Sequence, residues 1–418
     1  LHPEIKDPHV PPVSERRDLD VPGDLLWDQK KHANTIAYNN FHCWIEVQDI
    51  LELAGLVKET LASLGRKKIF GTYYGYTHYQ NFRGREHYQG HFALEELIEN
   101  NNGRVDFLCS PQTYFHGRNF GETCADMKAF GTMQAAGIIP IIEDDTRTHA
   151  RYYPKYAPSC NGAHTREQTT ALLRRNSGIA LCRGLPFYTY ALTTGVEFSN
   201  PESEAVGRDV RKVMEFTLDR PFRRTAEVAL VVSEKSILAL PYYCRYVKTG
   251  EKYQNYNAAG VPEEMDVEAS VLSGEIFMLA HNRFARAGAP VDYLLAEDLK
   301  HRPGDYRLYV FYNLFACDEE TKAAVAKLRE RGATILWLYA PGYLNGNSTE
   351  AMGRLTGFTF AKRPGPGHPE LTMADGRKMG MPSPDVARAF SPVGADEVVG
   401  QWNQTEGSPY IHRATGTE

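Results

Sequence analysis

Three consecutive acids, Glu143, Asp144 and Asp145, follow directly on the apolar run 138–142, and Arg147 and His149 come just after them. The run is mostly β-branched, as in a strand buried on both faces of a parallel sheet. Ionised carboxylates do not stay inside such a strand, so the acids mark where the chain leaves the core. Strand alternation sends Glu143 and Asp145 one way and Asp144 the other. Glu143 is nearest the apolar strand, which makes it the candidate nucleophile. Arg147 is placed to hold a neighbouring carboxylate ionised, or to form an ordinary surface ion pair.

The elements needed to position these residues can be read on either side. An extended, Pro-rich and charged arm occupies 1–32 and runs into a helix over 33–64, closed by Gly65. Strands are expected at 68–74, 105–109, 138–142 and 187–192, with helices at 92–99, 122–136 and 166–182 between them. Strands alternating with helices in this way build a parallel sheet or barrel. Each strand then ends on a common rim. The first supplies Tyr74, Tyr76, His78 and Tyr79, and the second Cys109, Ser110, Gln112 and Tyr114, with Arg118 further out. The third supplies the acids, Arg147 and His149, and the fourth Tyr190, Thr193 and Thr194. A polar and aromatic rim around a buried acid suits a carbohydrate better than a dinucleotide.

A second unit starts near Ala226. Strands at 228–233, 291–295, 308–312 and 334–338, with a Tyr-rich loop after the first and helices at 267–286 and 319–331, read as a doubly wound α/β domain. From Gly342 onward the chain is Gly- and Pro-rich, and 346–418 is expected to be irregular and β-rich. Cys317 lacks the flanking glycines of a nucleophile elbow and reads as structural. No phosphate-cradling glycine loop occurs.

Composition narrows the function classes. A net charge of −5 over 418 residues, with both signs mixed, gives no nucleic-acid-binding surface. No apolar run approaches the ~18 residues of a membrane helix. The 7 cysteines are scattered without a Cys-x-x-Cys pair, so neither a zinc site nor a disulfide framework is indicated. The opening Leu1-His2-Pro3 carries no signal-peptide pattern and fixes no compartment.

With Glu143 at a strand end, 187–192 as the last strand and an α/β unit from Ala226, the chain resembles a known class. These are the retaining (β/α)8-barrel glycoside hydrolases with a trimerisation domain after the barrel, as in the family 42 β-galactosidases and β-mannosidase-like relatives. The resemblance covers about residues 33–345. The segment Ile141-Ile142-Glu143-Asp144-Asp145-Thr146-Arg147-Thr148 departs from the usual family 42 pattern. The resemblance implies that 1–225 is the second half of a barrel (strands five to eight), that 226–345 is a trimerisation-like α/β domain, and that the chain forms a homotrimer.

It also implies a retaining hydrolase of terminal β-galactosides or β-mannosides in oligo- or polysaccharides. Glu143 would be the nucleophile, and Tyr76, His78, Tyr114, Arg118, Asp145 and Arg147 would bind the sugar. No metal or other cofactor is called for. Such chemistry needs a second carboxyl about 5 Å from the first, and none follows the other three strands. Glu86 and Glu122 lie in loops or helix starts, and Glu4 lies in the arm. A barrel takes roughly 250 residues, more than precede Ala226, so the chain is expected to be a fragment of a longer enzyme. The alternative is a degenerate, non-catalytic carbohydrate-binding or assembly protein.

Overall fold

The structure is a computed structural model of the chain. It describes residues 9–12, 26–78, 90–113, 118, 120–150, 163, 165–191, 197–220, 223–240, 246–256, 262–270, 284–364, 370–373, 375–380, 388–394, 397–402 and 409–413.

Helix α1 (Ala33–Ser63) buries Cys43, Val47, Leu51 and Ala54, one stripe at helical spacing, in a core shared with α2 (Leu94–Asn100). It ends as its sequence announces. Gly65 takes the left-handed conformation at φ 64°, its N–H bonds Ala62 O at 3.0 Å, and the Arg66 N–H bonds Leu61 O at 2.8 Å. Those two bonds form the Schellman closure.

Four short strands follow: β1 (Gly71–Tyr73), β2 (Phe107–Pro111), β3 (Ile139–Asp144) and β4 (Phe187–Thr189). They lie side by side in chain order, every neighbour parallel, with α2, α3 (Phe130–Ala135) and α4 (Arg166–Cys182) crossing between them. This is one arc of a β/α barrel. The register aligns Tyr73 with Cys109, and Pro111 with Glu143 and Tyr188. Those residues share one face of the sheet, on which Tyr73 and Tyr188 stay 44% and 38% exposed. The alternate residues Tyr74, Leu108 and Ile142 pack into apolar cores. Gly71 is forced by close approach, since a Cβ there would lie 2.2 Å from the Phe107 carbonyl oxygen.

The sequence reading missed α5 (Pro201–Thr217), although its start signals are present: Asn200 accepts from Ser203 N–H at 3.0 Å, Pro201 follows, and Glu202 and Glu204 sit in the first turn. The third helix is shorter than expected, starting at Phe130 rather than near Glu122.

The second sheet is also parallel, in the order β10 (Thr334–Trp337), β9 (Leu308–Phe311), β5 (Val228–Val232), β8 (Val291–Leu295). After β5 comes a short helix, α6 (Glu234–Leu238), that sequence reading did not separate. Helix α7 (Glu319–Glu330) begins at the Asp318 cap. Where a Tyr-rich loop and then a helix from Val267 were expected, β6 (Tyr246–Tyr256) and β7 (Pro262–Ser270) form an antiparallel hairpin. Cross-strand pairing has overridden local helical spacing over 267–270; of the rest of the expected helix, 271–283 lies outside the described residues, and Phe284 and Ala285 are helical.

The C-terminal part has β11 (Thr359–Pro364) paired to β14 (Arg388–Val393) and a four-stranded antiparallel sheet from β12 (Glu370–Met373), β13 (Lys378–Gly380), β15 (Glu397–Trp402) and β16 (Pro409–Arg413). It is preceded by one helix that was not foreseen, α8 (Thr349–Thr356), capped by Ser348 and closed by Gly357 at φ 81°.

The two parallel sheets share a core. Phe130, Ile142 and Leu185 from the first meet Leu230, Tyr293, Val310 and Tyr312 from the second. The Thr132 hydroxyl accepts from Leu295 N–H at 3.0 Å across that junction.

Candidate active site

Glu143 is the penultimate residue of β3 and is 5% exposed. Two phenols converge on one of its oxygens, Oε2. Tyr188 donates at 2.8 Å and Tyr73 also donates, while the two phenols contact each other. Cys109 Sγ lies 3.5 Å from the Tyr188 hydroxyl. Burial, then the hydrogen bond to Glu143, pushes the Tyr73 phenol above its ordinary pKa; burial, then the contact with the Tyr73 hydroxyl, pushes Tyr188 up further. Both therefore remain protonated donors at any working pH, and neither hydrogen bond uses Oε1. Lys128, fully buried just before α3, donates to the Ile141 carbonyl of the same strand. Burial draws its pKa down to about 8, against the opposing charges of Asp126, Cys109 and Glu143.

The other two acids do different work. Asp144 turns toward α4, where its Oδ1 accepts from Asn176 Nδ2 at 3.0 Å and from Thr146 N–H at 3.1 Å. Burial raises its pKa, with those bonds and Arg118 acting in opposition. Asp145 forms an ion pair with Arg118, both side chains 2% exposed, and accepts from Arg147 at 2.9 Å. Arg118 also donates to Thr113 O at 2.6 Å and to Gln112 O at 3.1 Å. The pair thus ties the end of β3 to the segment after β2.

The remaining sequence candidates are spread out. Half-buried Tyr76 stacks on His91, centroids 4.1 Å apart. His78 is buried against the second sheet, stacked on Tyr293 at 4.8 Å with Nε2 3.3 Å from Leu294 O. Tyr114, Tyr79, Thr193 and Thr194 lie outside the described residues. His149 Nδ1 sits 2.8 Å from Thr169 Oγ1. Cys317 is buried, its thiol pushed up to about 12, as suits a structural residue. Of the carboxyls weighed as a partner for Glu143, Glu122 pairs with Arg286, while Glu4 and Glu86 lie outside the described residues. Among the described residues, no second carboxyl belongs to the hydrogen-bonded group around Glu143.

The His78 environment predicts an acid-sensitive joint between the sheets. Burial lowers its folded pKa from 6.5 to about 3. The unfolded chain therefore binds the extra proton first. This contribution to stability is complete above pH ~6.5 and is lost as pH falls toward 3, at no more than about 1.4 kcal/mol per unit. Between pH 7 and 5 the urea midpoint of the wild type should fall further than that of His78→Phe, which keeps the ring and cannot titrate. Parallel curves for the two proteins would exclude this role.

Sequence reasoning missed Tyr73, Tyr188 and Lys128. It chose Tyr74, but that hydroxyl faces the other way, donating to Gly90 O at 2.8 Å. The available signal was parity: a residue beside Glu143 must share its face, and a shift of one position reverses the face.

Among solved structures, the chain is similar to the β-galactosidase from the psychrophilic Marinomonas ef1, with a TM-score of 0.53 at 10% identity over 91% of this chain and 56% of that one. Weaker likenesses are to Gan42B, a GH42 β-galactosidase from G. stearothermophilus (TM-score 0.42, 11% identity, 91% of this chain and 59% of that one), and to the β-galactosidase of the Antarctic haloarchaeon Halorubrum lacusprofundi (0.39, 8%, 77% and 52%). The chain spans just over half the length of these proteins. No family model and no curated protein matches the sequence. The likeness to the Marinomonas structure is one of fold: mixed α/β, with parallel sheets that match part of a barrel.

Proposed function

We propose that β1 to β4 are strands five to eight of a retaining (β/α)8 barrel that hydrolyses terminal β-galactosides or β-mannosides, with Glu143 as nucleophile. The observation that carries this reading is the buried carboxylate at a parallel strand end, aimed by two tyrosines on the sheet face that keeps them half exposed. A Glu143 oxygen would bond to the anomeric carbon as the glycosidic C–O bond breaks. An acid/base outside the group described here would give its proton to the departing oxygen, then take one from the water that cleaves the glycosyl ester. Tyr76 and Arg147, partly exposed, are assigned to sugar contact, and Tyr114 with them. Arg118, Asp145 and His78 are occupied by contacts of their own and position the rim. A homotrimer belongs to the same reading, and light scattering tests it.

The deciding experiment is a screen of nitrophenyl β-glycosides with a 2-deoxy-2-fluoro glycoside as trap. Release of nitrophenol and a covalent sugar on the Glu143 peptide are expected; a label on another carboxyl would overturn the assignment. That no second carboxyl among the described residues joins the group around Glu143 favours one other reading, a carbohydrate-binding relative without turnover. That protein would bind galactose or mannose, release no nitrophenol and take no label.

A further inference from the structure

A cavity of about 680 Å³ lies between the N-terminal half of α1, the start of α2, helix α6 and the 3-10 turn Glu297–Lys300. None of the partners of Glu143 lines it. Two carboxyls form its floor, Glu234 at 3% and Glu297 at 2% exposure. Each is anchored through one oxygen. Glu234 Oε2 accepts from Leu94 N–H at 2.8 Å, and Glu297 Oε1 accepts from the Ser233 hydroxyl at 2.7 Å and Lys235 N–H at 3.1 Å. The other oxygens, Glu234 Oε1 and Glu297 Oε2, are buried and have no hydrogen-bond partner among the described residues.

A buried acceptor left without a donor is costly, and two of them on neighbouring like charges more so. Burial raises the pKa of both carboxyls, and for Glu234 the charge of Glu297 raises it again. The charge of Lys235 offsets part of this at Glu297, but its amine is held by Asp318, lies 3.5 Å from Glu95 and donates to neither free oxygen. Aromatic side chains also line the cavity. Phe41 and Trp44 are 57% and 42% exposed, with ring centroids 6.0 Å apart.

A ligand that satisfies all of this must donate hydrogen bonds, carry positive charge and present an apolar body. We propose that this cavity binds a primary organic ammonium ion, its –NH3+ group pairing with the Glu234 and Glu297 carboxyls and its hydrocarbon part lying against Phe41 and Trp44. A neutral polyol would supply donors but leave the two carboxyls repelling each other. A quaternary ammonium would supply charge and cation–π contact but no donors.

Titration calorimetry of the whole chain with n-butylammonium chloride tests this, with 1-butanol, tetramethylammonium chloride and sodium chloride as comparators. Saturable one-to-one binding of butylammonium is expected, at least about tenfold tighter than either organic comparator, with none for sodium. Trp44→Ala, at an exposed position, should weaken it about tenfold. Glu297→Gln, which puts a donor where the ammonium must donate, should do at least as much. Urea midpoints on both variants separate loss of binding from loss of fold, and if Glu297→Gln does not fold, Trp44→Ala decides alone. Absence of binding, equal binding of butanol or tetramethylammonium, or unchanged affinity in Trp44→Ala would each overturn the proposal. None of these outcomes depends on whether Glu143 is a nucleophile.

Discussion

Replacing Glu143 by Gln is expected to lower turnover of a nitrophenyl β-galactoside or β-mannoside by roughly four orders of magnitude or more, while leaving the fold intact. The amide has the size of the carboxylate and keeps a carbonyl oxygen that can accept from Tyr73 and Tyr188, so the 5% exposed site is not emptied. What it lacks is the charge and nucleophilicity needed to form the glycosyl ester, and loss of a covalent nucleophile removes the step rather than slowing it modestly. A structural carboxylate would give a different pattern: a lowered urea midpoint with kcat changed a few-fold. Glu143→Gly sharpens the distinction. With azide present, the small anion can enter the vacated space and attack the anomeric carbon, so an α-glycosyl azide should form from a β-glycoside. Near wild-type turnover in Glu143→Gln, or no azide product from an otherwise folded Glu143→Gly protein, would remove Glu143 from the chemistry.

Much of the frame that holds Glu143 can be read from local sequence. Helix α4 spans Arg166–Cys182 as expected, because Thr165 caps Gln168 N–H at 3.2 Å and Gly184 turns the chain at φ 64°. Strand β8 spans Val291–Leu295 as expected, because Val291, Tyr293, Leu294 and Leu295 have little alternative once both faces are buried; the one acid among them, Asp292, accepts from the Tyr306 hydroxyl at 2.7 Å. The carboxylate's position at a strand end follows from the same logic at β3. The groups around it were not legible in the same way. Strand β1 is only three residues long, so sequence could not settle its parity, and the choice of Tyr74 over Tyr73 reverses the face. Lys128 reads as an ordinary surface charge until the packing around α3 buries it. The β6–β7 hairpin depends on pairing between distant residues such as Tyr246 and Ser270, for which no short window carries the signal. Local caps and apolar runs are written in the chain, whereas facing and burial are decided by partners remote in sequence.

Asp145 and Arg118 show how far burial can change a residue's meaning, and the change can be measured. Removing Asp145 by an Ala substitution is expected to cost about 3 kcal/mol of stability, the low end of the range for breaking a buried pair by deleting one partner. Arg118 would lose its ion-pair partner at 2% exposure, though its bonds to Thr113 O and Gln112 O and the nearby Asp144 would survive and soften the loss. Arg147, whose side chain is 21% exposed, can turn to solvent and adds little to the cost. The double replacement Arg118→Met/Asp145→Leu should recover most of the loss, because two apolar side chains of similar volume can fill the site without an unpaired charge. Urea unfolding with a shared m-value gives both numbers. A residue acting only as a sugar ligand would behave in the opposite way: Asp145→Ala would raise KM, the urea midpoint would hardly move, and the double replacement would rescue nothing. A single-variant loss below about 1 kcal/mol would place Asp145 among the ligands. A loss near 3 kcal/mol with rescue would make the pair the strut that fixes the end of β3, two residues from Glu143, and so sets where the nucleophile points.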